Sequence, residues 1–222
     1  MIPEITLEDI ELVKRYMQEP FHIEYNGINV NLLWSGGADS TFLLLALLVK
    51  GCAVRTFHVN LLNNKVKNER EKEARDIIFD AVSKQYSGLI KNWSKQDWAQ
   101  QEFDIPGSTR QSISQALYWL VATQTKTAGW GTAFAIGYVN GDDAIYYIPA
   151  LQAIVDGFNM MCAPEDKITV SFPLARVKKS WCWDAMPEII SQHIVWCEAE
   201  KPGPDCQCAP CRRARFELKD LS

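Results

Sequence analysis

Ile28-Asn29-Val30-Asn31-Leu32-Leu33-Trp34-Ser35-Gly36-Gly37-Ala38-Asp39-Ser40, followed by the apolar run from Thr41 to Lys50, is the stretch that decides the fold. Its first part is β-rich and partly alternating, its middle is a turn with adjacent glycines, and its end has the length and composition of a buried helix. Gly51 then closes the helix as a C-cap would. Ala53-Val54-Arg55-Thr56-Phe57-His58-Val59 reads as a second strand. A strand, a helix and a second strand so close together form a βαβ unit, which requires a parallel sheet.

The same alternation continues outward from this unit. Asn68 to Val82 predicts a charged helix with Ala74, Ile77, Ile78 and Ala81 on its apolar side. After a polar region rich in Trp and Gln come a helix over Ile113 to Ala122, a buried strand over Thr132 to Gly137, and a helix over Leu151 to Met161. Ile168 to Phe172 predicts a strand and Trp181 to His193 a further helix. Upstream, Ile5 to Met17 has apolar residues at roughly helical spacing. The class is α/β, divided into an N-terminal helical extension (1–28), a catalytic domain (29–195) and a cysteine-bearing segment (196–222), the composition changing near Trp196.

With 222 residues, 47% of them hydrophobic and 23% charged, the chain can bury a full core. A net charge of −4 argues against gripping a nucleic-acid backbone as the main task. The run from Thr41 to Val49 is too short for a membrane span, and Met1-Ile2-Pro3-Glu4 lacks the features of a secretory signal, so a cytoplasmic protein is expected.

The loop Ser35 to Ser40 carries the first chemical signal. Adjacent glycines expose backbone N–H groups, the following helix adds the positive end of its dipole, and Ser35 and Ser40 add hydroxyls, which together suit an anion such as phosphate. Asp39 would repel such a ligand unless a cation such as Mg²⁺ accompanied it or the acid made a local structural bond. The spacing is neither that of a Walker A loop nor that of a dinucleotide fingerprint.

The second signal is the cysteines. Of seven, Cys197, Cys206, Cys208 and Cys211 crowd into the C-terminal segment among Pro202, Gly203, Pro204 and Pro210. Four thiols are the number that closes a tetrahedral zinc site, and Arg212, Arg213 and Arg215 stand ready to offset the thiolate charge. An iron–sulfur cluster and a set of reduced surface thiols are the alternatives.

The loop together with the cysteines resembles the Ser-Gly-Gly-x-Asp-Ser loop of the N-type ATP pyrophosphatases, and within them the 7-cyano-7-deazaguanine synthases. Further segments are similar to that family: Ile105-Pro106-Gly107 followed by Ser114-Gln115-Ala116-Leu117, then Gly137 with Asp142, then Pro173-Leu174 with Lys179. Ser108-Thr109 replaces the family's Arg-Asn, with Arg110 displaced along the chain, and Cys206-Gln207-Cys208 is one residue tighter than the usual Cys-x-x-Cys. Tyr146-Tyr147-Ile148-Pro149 stands near where the family has Tyr-Pro-Asp-Cys.

The resemblance implies a doubly wound, HUP-like parallel sheet and a ligase that uses ATP twice. The carboxylate of 7-carboxy-7-deazaguanine is adenylated and aminated by ammonia to the amide, and the amide oxygen is then adenylated and lost to leave the nitrile. It implies Ser35, Gly36, Gly37, Asp39, Ser40 and Arg110 at ATP, Asp39 and Lys179 as catalytic residues, Asp142 at the substrate, and a homodimer. A related adenylating enzyme of a phage or antiviral operon, acting on a protein or nucleic-acid acceptor, is the alternative. A non-catalytic nucleotide-binding module is the third reading. His58 is expected to be a satisfied core or surface histidine, and Lys65, Lys67, Arg70 and Lys72 a solvated helix face among Glu69, Glu71 and Glu73.

Overall fold

Alternate residues of the first strand belong to two different cores. In the computed structural model, described over residues 6–17, 21, 27–61, 65–85, 102–105, 132–197, 199, 203 and 205–217, β1 spans Asn29–Leu33, α2 Ala38–Val49 and β2 Ala53–Leu61, following an N-terminal helix α1, Leu7–Tyr16. Helix α3 covers Lys65–Gln85, β3 Glu102–Ile105 and β4 Ala133–Ile136. Then come α4, Ile148–Asn159, β5, Thr169–Ser171, α5, Lys179–Asp184, α6, Glu188–Ser191, and α7, Ala209–Glu217.

The strands form one five-stranded sheet in the order β3-β2-β1-β4-β5, every neighbouring pair parallel. Val30, Leu32 and Trp34 pack on one face with Phe42 of α2, Ile78 of α3 and Cys182 of α5. Leu33, Phe57, Phe134 and Ile136 pack on the other with Leu151 and Val155 of α4. Helices therefore cover both faces, which is why the central strands are apolar on both sides.

Helix α2 is buried over ten of its residues, enclosed by β1, β2, α1 and α5. A helix apolar all round has no solvent face to offer and belongs at the centre. The buried indole of Trp34 is satisfied there, with Nε1 donating to Thr41 Oγ1 at 3.0 Å. Gly51, at φ +77°, ends the crossover in the left-handed region, as its position after the apolar run anticipates. Helix α1 starts in a capping box formed by Thr6 and Asp9, and buries Val13 against the core.

Two expectations are corrected. The single helix anticipated over Trp181 to His193 is broken into α5 and α6, because Pro187 has no N–H to continue the ladder and disfavours helical backbone at Met186. Strand β3 falls in the region rich in Trp and Gln, to which the sequence reading assigns no element. The helix expected over Ile113 to Ala122, and Arg110 with it, lie outside the described residues.

Candidate functional site

The chain leaves the sheet in opposite directions from β1 and β4. From β1 it passes through α2 to β2, and from β4 through α4 to β5, on the other side of the strand order. The carboxyl ends of β1 and β4 thus flank a switch point, the place where ligands settle in open α/β sheets. The loop Ser35 to Ser40 follows β1 there, and Gly137 to Asp142 follows β4.

Gly36 has φ +79°, and a Cβ on it would stand 3.1 Å from Arg75 Cγ and 3.2 Å from Glu71 O of α3. A side chain is therefore excluded twice, by backbone conformation and by space. Gly37 is the N-cap of α2 in extended conformation, with no side chain capping the helix. The loop's own hydroxyls organise it: Ser35 Oγ accepts from Gly37 N at 3.2 Å and lies 3.2 Å from Ser40 Oγ, while Ser40 Oγ accepts from Ser35 N at 3.3 Å. Across the crevice, a Cβ on Gly137 would come within 3.0 Å of Ser40 Cα and 3.1 Å of Ser40 N. Only glycine lets the β4 loop close on the first turn of α2.

Lys179 reaches this turn from the start of α5. Asn140 pairs in parallel with Lys178, its N–H donating to Val177 O at 2.8 Å, and this fixes the chain just before α5 beside the β4 loop. Lys179 Nζ then lies 2.8 Å from Asp39 Oδ2, with side chains 27% and 14% exposed. The conflict expected between an acid and an anion site is thus answered within the chain, since the lysine compensates the carboxylate. Burial works against the ammonium, but the charges of Asp39 and Asp142 outweigh it and hold Lys179 above its ordinary pKa. Cys182, one turn along α5, is fully buried, and burial, then Asp39, pushes its thiol well up. It is a packing residue, not a nucleophile.

Asp142 is held by Arg213 of α7, Nη1 to Oδ1 at 2.8 Å, while Oδ2 accepts from Val139 N at 3.4 Å. Asp143 beside it is exposed, 3.9 Å from Arg213 Nη2. Sequence reading placed Asp142 at the site but gave Arg213 to the cysteines. Their separation of 71 positions leaves no local signal for the pairing.

The cysteine cluster adjoins this site. The sulfurs of Cys197, Cys206, Cys208 and Cys211 all lie within 4.8 Å of one another, with Cys197 Sγ 3.5 Å from Cys206 Sγ and 3.9 Å from Cys208 Sγ. Thiolates bound at about 2.3 Å in a tetrahedron stand about 3.8 Å apart, so the four can hold a metal ion such as zinc. A multi-atom iron–sulfur cluster would have to push them further apart. Burial, and then the neighbouring sulfurs, raise the Cys211 thiol to about 12, so without a metal this thiol keeps its proton. Arg215 donates to Cys206 O.

Arg70 corrects a further expectation. Rather than facing solvent on α3, its Nη2 donates to Cys197 O at 2.9 Å and Ala199 O at 2.8 Å, fastening the cysteine segment to the domain. On the same helix Lys67 Nζ is 3.8 Å from Glu71 Oε1, and Glu71 Oε2 is 3.5 Å from His58 Nε2, all largely buried. The charges that read as a solvated face are in part an internal network. Of the two placements expected for His58, core or surface, the structure shows the core one.

Compared with protein-family models and with curated proteins, the chain matches none of either. Among the described residues no helix is long and apolar enough to cross a membrane.

Proposed function

We propose that this chain is an ATP-dependent adenylating enzyme with an HUP-like fold of the N-type ATP pyrophosphatase kind, and that it forms a nitrile on a deazaguanine as the 7-cyano-7-deazaguanine synthases do. One observation carries the reading: the Ser35–Ser40 loop, the uncapped start of α2 and the Lys179–Asp39 pair converge at the switch point between β1 and β4. Backbone N–H groups there suit the β- and γ-phosphates, and Lys179 supplies the positive charge that a departing pyrophosphate needs.

The substrate carboxylate oxygen forms a bond to the α-phosphorus while the bond from that phosphorus to the β-bridging oxygen breaks, releasing pyrophosphate. Ammonia then attacks the activated carbonyl carbon and AMP leaves, giving the amide. A second ATP adenylates the amide oxygen, and loss of AMP and a proton gives the nitrile. Asp39 orients Lys179, and its carboxylate would hold the Mg²⁺ that accompanies ATP, which would supply positive charge to the phosphates. In the same reading Asp142 would meet the substrate, Arg110 would belong to the ATP set, and Cys197, Cys206, Cys208 and Cys211 would hold zinc. A cytoplasmic homodimer belongs to the same reading.

Incubation of metal-loaded protein with ATP, Mg²⁺, 7-carboxy-7-deazaguanine and an ammonium salt tests it. Mass spectrometry should find AMP, pyrophosphate and the nitrile; intact ATP and unchanged acid would refute the reading.

A second reading rests on Tyr146. Near where the family shapes its deazapurine pocket, this side chain is 84% exposed. An exposed aromatic four residues after Asp142 suits a macromolecular acceptor, a protein or nucleic acid, with adenylation unchanged. Pyrophosphate release that requires such a partner and ignores the free deazaguanine would favour it.

A further inference from the structure

We infer that Arg213 is a positioning residue through which metal occupancy of the cysteine cluster sets nucleotide affinity at the Ser35–Ser40 loop. The inference rests on the nucleotide-binding reading above.

Both ends of the cluster border the loop's surroundings. Two residues before Cys197, Val195 N donates to Gly36 O at 3.4 Å, and Val195 O lies 3.4 Å from where a Cβ on Gly37 would stand. Two residues after Cys211, Arg213 grips Asp142, whose charge bears on Lys179 and so on its hold on Asp39. The cysteines thus bracket two contacts with the phosphate site, and a shared ion ties one end of the bracket to the other.

The two ends are not equally secured without it. Arg70 holds the carbonyls of Cys197 and Ala199 to α3 whatever the sulfurs do. On the other side, α7 has only nine residues, too few to be stable alone in water. The contacts that place it include the cluster, the Arg213–Asp142 pair and the bond from Arg215 to Cys206 O. Losing the ion therefore frees α7 first, and Arg213 with it. Asp142 is then left without its guanidinium, competing with Asp39 for Lys179.

The linkage must be reciprocal: if the ion strengthens nucleotide binding, nucleotide must retain the ion by the same factor. The full chain, zinc-loaded or stripped by a chelator and desalted, with its fold checked by circular dichroism, is titrated calorimetrically with Mg²⁺-ATP. Stripping should weaken binding about tenfold, within the usual range for coupled sites, and ATP should slow zinc loss to a chelator about as much. Arg213→Met should bind one zinc, show the weakened ATP affinity, and lose both dependences. Arg213→Lys, which keeps the charge without the fork, should fall between. Asp142→Asn cuts the same link from the other side and should likewise make ATP affinity indifferent to zinc, including if Arg213→Met fails to fold.

Equal ATP affinity in loaded and stripped wild-type protein overturns the inference, as does full zinc dependence in Arg213→Met or Asp142→Asn. A loaded wild-type chain that binds no ATP refutes instead the reading on which it rests.

Discussion

Lys179 Nζ lies 2.8 Å from Asp39 Oδ2, joining the first turn of α5 to the first turn of α2 across 140 residues of chain. Neither side chain is freely solvated, and each offsets part of the other's cost of burial. In the proposed reaction that pair faces the departing pyrophosphate. Replacing Lys179 by Ala should cut pyrophosphate release by about 10²- to 10³-fold, the size expected when a main stabiliser of developing charge is lost. Lys179→Arg should retain part of it. A rate within threefold of wild type in Lys179→Ala would remove the lysine from the chemistry.

The pair also has a pH signature. Because folding raises the Lys179 pKa above its ordinary value, its contribution to stability is complete below the unfolded value of about 10.4 and disappears as pH rises through the folded one. The difference in urea-unfolding free energy between wild type and Lys179→Met should stay flat from neutral pH to about pH 10, and shrink above it. A difference that instead grew with alkalinity would contradict the assignment.

Gly137 and Gly51 should respond to alanine for different reasons. At Gly137 the new methyl meets the backbone of Ser40, which cannot turn aside, so the cost should be about 1–3 kcal/mol with weaker ATP binding. At Gly51 the space is open and only the left-handed backbone opposes the change, at about 1 kcal/mol with ATP binding intact. Thermal melts and ATP titrations of the two variants separate steric closure of the site from simple turn strain.

Metal binding at the cysteines should release protons. With the Cys211 thiol at about 12 before the ion arrives, a thiolate ligand forms only by losing a proton to solvent. Zinc affinity should therefore fall as pH is lowered, and calorimetry in buffers of different ionisation enthalpy should count released protons. Cys197→Ser or Cys211→Ser, at the two buried positions, should abolish stoichiometric zinc. A pH-independent affinity would exclude a thiolate site.

Much of this architecture was legible because local physics decides it. The apolar run after Gly37 can only be a buried helix, and Gly51 and Ala53 to Val59 follow from it, so the β1-α2-β2 unit stands as read. Pro187 separates α5 from α6, yet the stretch from Trp181 to His193 read from sequence predicts one helix across it. Strand β3 is four residues long and pairs only with β2 among the described residues, too brief for alternation to register. The four cysteines announced their cluster by number and spacing. What could not be read was long-range pairing: Arg70 with Cys197 and Ala199, Arg213 with Asp142, and Gly137 against Ser40. Each depends on which elements the sheet order brings together: the first ties the cysteine segment to α3, the second ties α7 to the β4 loop, and the third closes that loop on α2.

The central claim is that Ser35 to Ser40 receives the pyrophosphate part of ATP. Its most direct measurement is a calorimetric competition on the zinc-loaded chain, titrating Mg²⁺-ATP with and without inorganic pyrophosphate, and repeating it with Gly37→Val. Pyrophosphate should displace ATP from wild type, and Gly37→Val, whose side chain would crowd Ser35 Oγ at 3.2 Å, should bind neither while remaining folded. ATP binding that pyrophosphate leaves untouched, or that survives Gly37→Val at full strength, would contradict the account.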